Sequence, residues 1–158
     1  MFIVNDKGNL RNKFVKKEAL KMLLGGPITI LILLSLSYVS MSKWPAFFLA
    51  TSPILLLIGI IGYIIAPIIM LKRHNRTIEE ISFEENKIVF KVFSALWLKS
   101  KKIELIRGNF EIIESSFIWY GKGKKKGVII RLKNNEEYYL VSDYFDEYEL
   151  IINSLNRF

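Results

Sequence analysis

The chain has 158 residues, 51% of them hydrophobic, and carries 23 Lys/Arg against 15 Asp/Glu for a net charge of +8. It contains no cysteine and one histidine, which excludes disulfides, thiol nucleophiles, cysteine-ligated zinc and cysteine lipidation, and argues against a His-based metal site or triad. The charge excess lies wholly in residues 1–76, with ten basic and two acidic side chains. Residues 77–158 are balanced at thirteen and thirteen. Nucleic-acid binding needs a basic face on the soluble part, so it is not expected.

The leader, residues 1–21, is short and basic. Phe2-Ile3-Val4 is an apolar stub, and Asn5-Asp6-Lys7-Gly8 reads as a turn. Leu10, Phe14 and Val15 then recur at helical spacing between lysines and Arg11. This pattern fits an interfacial helix, but a solvated leader to the first span is the preferred reading.

Residues 22–71 form a hydrophobic hairpin with a single charge, Lys43. Met22–Ser42 and Trp44–Leu71 each reach the length of about 20 apolar residues that a bilayer demands. Gly25-Gly26-Pro27 loosens the first segment, so its regular helix is expected to begin near Pro27. The apolar run exceeds a usual signal peptide and a second one follows at once, so an anchor is preferred to a cleaved leader. Trp44 suits a membrane interface and Pro45 a helix start; Pro53 and Pro67 are candidate kink sites. Basic residues flank the hairpin outside and only Lys43 lies in its loop. Both termini are therefore expected in the cytoplasm, with the chain as a multi-pass protein of the cell membrane.

No ionisable side chain sits within either span, which argues against a proton relay or an ion-coupled transporter. Ala46 with Ala50, and Gly62 with Ala66, are small-x-x-x-small pairs that permit close helix approach. Their plain role is packing the hairpin on itself. The sharper role is homo-oligomerisation or packing against a larger membrane protein.

From Thr77 the periodicity changes to two, giving a soluble domain over residues 77–158. Strands are expected around Ile78–Phe83, Ile88–Val92, Leu96–Ile106, Phe110–Tyr120, Val128–Lys133 and Glu137–Val141. Ser142 or Asp143 should cap a closing helix over Tyr144–Asn156, with Phe145, Tyr148, Ile151, Ile152 and Leu155 as its apolar stripe.

Lys122, Lys124, Lys125 and Lys126 alternate with Gly121, Gly123 and Gly127 in the expected loop between two of these strands, preceded by Trp119 and Tyr120. The pattern is not a phosphate-binding P-loop, which lies between a strand and a helix. Contact with anionic membrane lipid is the functional reading. A solvated hairpin tip whose lysines discourage edge pairing is the blander and preferred one. The glutamates at strand and turn positions fit solvent faces. His74, beside Lys72, Arg73 and Arg76, is expected at the juxtamembrane surface.

The hairpin ending in Leu71-Lys72-Arg73, the strand–turn–strand Ile81–Phe90 and the tail Tyr139–Leu155 together resemble the small bacterial membrane proteins that carry a PH-like domain. The resemblance implies a membrane α-helical hairpin plus an α+β domain. That domain would be a PH-like split antiparallel barrel closed by a C-terminal helix, with no catalytic residue, metal or cofactor. Such a barrel uses seven strands, whereas six follow the hairpin. Either Lys91–Ile106 holds another, or Phe2–Val4 returns to a sheet edge. The expected function is a non-catalytic, membrane-anchored module for protein or anionic-lipid interaction. The alternative is a small accessory subunit of a transporter or envelope-assembly complex.

Overall fold

A computed structural model describes residues 1–41, 43, 45–118 and 124–158. The chain divides into two compact units, Met1–Phe14 together with Lys72–Phe158, and Val15–Leu71. The first fourteen residues thus belong with the C-terminal part, although the sequence reads them as part of a separate leader.

Val15–Leu71 holds most of helix α1 (Asp6–Met41), all of α2 (Pro45–Ile60), a π-helical turn (Ile61–Ile65) and the start of α3 (Ala66–His74). α1 is one helix that runs through Gly25-Gly26-Pro27, which corrects the expected start near Pro27. A proline inside a helix deletes one hydrogen bond, but a long apolar segment gains more by keeping its other backbone groups bonded than by unwinding. The π-turn ends two residues before Pro67, and Ala66 N–H donates to the Ile61 carbonyl five residues back. Widening the turn there accommodates a ring that would otherwise press on the preceding carbonyls.

Each of the two long helical stretches, within Asp6–Leu36 and Pro45–His74, is long and apolar enough to cross a membrane, with mean hydropathy of 2.0 and 2.8. Only 11% and 22% of their apolar windows are buried. The core helix of a soluble protein would be mostly covered.

The other unit is α+β. Its strands are β1 (Phe2–Ile3), β2 (Ile78–Phe83), β3 (Lys87–Val92), β4 (Lys102–Ile106), β5 (Phe110–Ile118), β6 (Lys124–Leu132) and β7 (Glu137–Val141). They form two antiparallel sheets, ordered β1-β2-β3-β4 and β5-β6-β7. The sheets do not close into the expected barrel. β4 and β5 are not paired, and beyond the strands the sheets meet through single links such as the parallel bridge of Thr77 to Tyr139.

The missing strand is β1, whose Phe2 pairs with Ile81 and Ile3 with Glu80. The region Lys91–Ile106 gives a shorter strand than expected, because Leu96 adopts φ +49° and breaks the extension. Ile78, Ile81, Ile88, Phe90, Ile130 and Leu140 are buried in one core that also takes in Val4 from the N-terminus. After β7 the chain forms a 3-10 turn (Ser142–Tyr144) before α4 (Tyr148–Arg157), so the helix starts four residues later than expected. Its first residue follows Glu147, which makes no side-chain cap, so neither Ser142 nor Asp143 caps it. Of the expected stripe, Ile151 and Leu155 are buried on α4 with Tyr148 and Ile152 partly so, while the buried Phe145 precedes the helix.

Candidate functional site

Asn5 positions the helix that lines the site. Its side-chain oxygen accepts from the backbone N–H of Lys7 at 3.0 Å and of Gly8 at 3.2 Å, which caps α1. The expected turn at Asn5–Gly8 is therefore a helix start. The same residue's backbone N–H donates to the Tyr144 carbonyl at 2.8 Å, and its amide donates to the Asp143 carbonyl at 3.2 Å and to Asp146 Oδ1 at 2.8 Å. These bonds hold the first turns of α1 beside the connection between β7 and α4.

A groove of about 520 Å³ opens between these elements, lined by Lys7, Leu10, Arg11, Phe14, Lys125, Asp143 and Tyr144. Its lining carries three cationic side chains against one carboxylate. Leu10 and Phe14 are exposed along the helix, and the Arg11 guanidinium lies 5.0 Å above the Phe14 ring. Lys125 forms an ion pair with Asp143, both partly solvated. Burial pushes the Tyr144 hydroxyl above its ordinary range, opposed by the nearby Arg11 and reinforced by Asp143. The combination suits a ligand with an anionic head and an apolar tail.

The sequence candidates fare unevenly. Lys124, Lys125 and Lys126 sit within β6, paired with Ile118, Phe117 and Ser116, and not in a loop. Lys125 alone among them reaches the groove. Trp119, Tyr120 and Lys122 fall outside the described residues. Lys7, Arg11 and Tyr144 were not singled out for a site. The signal available was the Leu10–Phe14 helical spacing with Arg11 between, which places basic and apolar groups on one short helical surface.

His74 is corrected from surface to interior: it is 2% exposed, its Nε2 lies 3.0 Å from Asn12 Oδ1, and its ring stacks on Phe93 at 4.9 Å. No grouping of His, Asp and Glu suited to a metal ion occurs among the described residues.

Within the hairpin, close approach occurs at glycines that the small-residue motifs passed over. A Cβ on Gly26 would lie 2.2 Å from the Tyr63 Cβ, and one on Gly59 would lie 2.5 Å from the Ile30 Cδ1. Each glycine faces the large residue that lies one turn from the other glycine on the opposite helix. A Cβ on Gly62 would meet nothing within 4 Å, and Ala46 and Ala50 are exposed. Ala66 is half-buried.

Comparison with family models, with curated proteins and with solved structures finds no match for this chain.

Proposed function

We propose that this protein is a membrane-anchored, non-catalytic module whose groove takes the headgroup of an anionic lipid at the cytoplasmic face. The observation that carries this reading is the groove itself. Lys7, Arg11 and Lys125 converge on an apolar floor at the start of α1, the helix whose later residues form the first apolar span. Basic residues near an anionic surface are worth about 1 kcal/mol each, which for three outweighs one opposing carboxylate. Lys/Arg flanking the hairpin favour both termini inside, and the low burial of the two apolar helices favours lipid as their solvent. We read the domain as PH-like: seven antiparallel strands among the described residues and a C-terminal helix support this, although the sheets stay separate.

Full-length protein in phosphocholine micelles, titrated with short-chain phosphatidylglycerol, tests the proposal. The amide resonances of Lys7, Arg11 and Lys125 should shift saturably, and phosphatidylcholine of equal chain length should leave them in place. Equal responses to both lipids would sink the headgroup reading.

A second reading rests on the open surface at Gly62, Ala46 and Ala50, which the hairpin does not use for its own packing. An accessory subunit would seat partner helices there. Gly62→Leu would then abolish co-purification of a larger membrane protein while leaving the lipid titration unchanged.

A further inference from the structure

Between β3 and β4 the chain makes a miniature hairpin. Ala95 and Leu98 exchange both backbone hydrogen bonds, at 2.9 and 2.8 Å, around a two-residue tip of Leu96 and Trp97. Leu96 holds φ +49°, an uncommon conformation for a bulky residue, and what it presents is two apolar side chains to solvent, 37% and 57% exposed.

The residues around the tip are of one sign. Lys99, Lys101 and Lys102 are all exposed, and no acid occurs between Glu85 and Glu104. The base of the hairpin is also tied to a specific place in the chain. The Asn75 amide donates to the Phe93 carbonyl at 2.6 Å and to the Lys99 carbonyl at 3.1 Å. Asn75 is four residues beyond Leu71, the last apolar residue before Lys72. Four residues span at most about 14 Å when fully extended. The residue that ties the base of this hairpin is thus separated from Leu71 by no more than that length of chain.

We propose that the Leu96–Trp97 tip is an interfacial anchor that inserts into the headgroup layer of an anionic bilayer, with Lys99, Lys101 and Lys102 on the lipid phosphates. This rests on the membrane reading above but not on the groove. Indole rings favour the membrane–water boundary, where the ring is desolvated and its N–H still finds a partner. The lysines are complementary to the anionic surface and to no acid of their own loop. The occupant is therefore lipid.

The test uses the full chain with Trp44→Phe and Trp119→Phe, leaving Trp97 as the sole indole, reconstituted into vesicles of phosphatidylcholine with phosphatidylglycerol. Trp97 emission should shift to the blue relative to detergent. It should be quenched by lipids brominated near the headgroup and lose its quenching by aqueous acrylamide. Lys99→Glu with Lys101→Glu and Lys102→Glu should restore acrylamide quenching. Should the double Phe variant fail to fold, Leu96→Cys in the otherwise cysteine-free chain carries an environment-sensitive dye for the same readings. Flotation with the vesicles but an emission and acrylamide response unchanged from detergent overturns the anchor and leaves the membrane reading standing. Failure to float overturns both. Retained protection only when a second protein is added would assign the tip to a protein partner and also overturn the proposal.

Discussion

Gly26 and Tyr63 pack backbone against ring: a Cβ at position 26 would come within 2.2 Å of the tyrosine Cβ and 2.4 Å of its Cγ. Both atoms lie at the rigid base of the side chain, so rotamer change cannot relieve the clash. Gly26→Ala should therefore destabilise the helical hairpin by about 1–3 kcal/mol, the usual range for overpacking. Gly62→Ala meets no atom and should be neutral or slightly stabilising, since alanine is the better helix former. Thermal unfolding of both variants in the same detergent, followed by far-ultraviolet ellipticity, checks the contrast. Equal midpoints would mean the hairpin packs differently.

Removing the partner of a buried imidazole should be costly. Asn12→Leu leaves His74 Nε2 without the oxygen that lies 3.0 Å away. Loss of one hydrogen bond at a buried polar atom costs about 1–3 kcal/mol. Asn12→Asp, which keeps an acceptor, should recover most of the loss. Denaturant midpoints for the three proteins decide it, and an unperturbed Asn12→Leu would show that the histidine finds water.

Asp143 offsets the charge of the groove while adding little to stability, because exposed ion pairs contribute about 0–1 kcal/mol. Asp143→Asn is expected to leave the melting temperature nearly unchanged and to tighten short-chain anionic lipid binding by about fivefold, the equivalent of about 1 kcal/mol. The backbone carbonyl that accepts from Asn5 is retained in this variant. Weaker or unchanged binding by isothermal titration would remove Lys125 from the headgroup contact.

Alkaline pH should unfold the sheet domain steeply. Tyr138 is pushed up from 10 to about 12 by burial and by its hydrogen bond to Glu136, and Tyr148 to about 12 by burial and then by Glu149 and Glu114. In the unfolded chain both ionise near 10, so between about pH 10 and pH 12 the unfolded state loses protons that the folded state keeps. Their contribution is fully present below pH 10 and falls away as pH rises to 12. Tyr138→Phe with Tyr148→Phe should flatten the decline of the denaturant midpoint across that window, and an unchanged slope would refute the assignment.

The N-terminus should be indispensable to a domain 75 residues distant in sequence. Val4 is 6% exposed in the core, and its N–H donates to the Glu79 carbonyl at 3.0 Å. Val4→Asp is expected to abolish cooperative unfolding of the sheet domain, because a buried unpaired charge costs more than a small domain can spare. A fragment starting at Thr77 should behave likewise, having lost β1, Val4 and Asn5. A sharp melt for either would show β1 to be dispensable.

The amino-acid pattern alone determined what depends on near neighbours. The two apolar segments, the period-two strands from Ile78 onward and the apolar stripe Phe145–Leu155 are all legible because hydrophobic burial has a local spacing. Tertiary structure decided the rest. Phe2-Ile3 is too short to announce a strand and becomes one only by pairing with β2. Asn5-Asp6-Lys7-Gly8 has turn composition, yet Asn5 caps a helix because Tyr144 and Asp146 hold it in place. His74 reads as a surface residue among cations until Asn12 and Phe93 enclose it. The groove joins Lys7 and Arg11 to Lys125, more than a hundred residues away. No local periodicity encodes such a meeting, since it follows from the entropy and packing of the whole chain rather than from any one segment's preference.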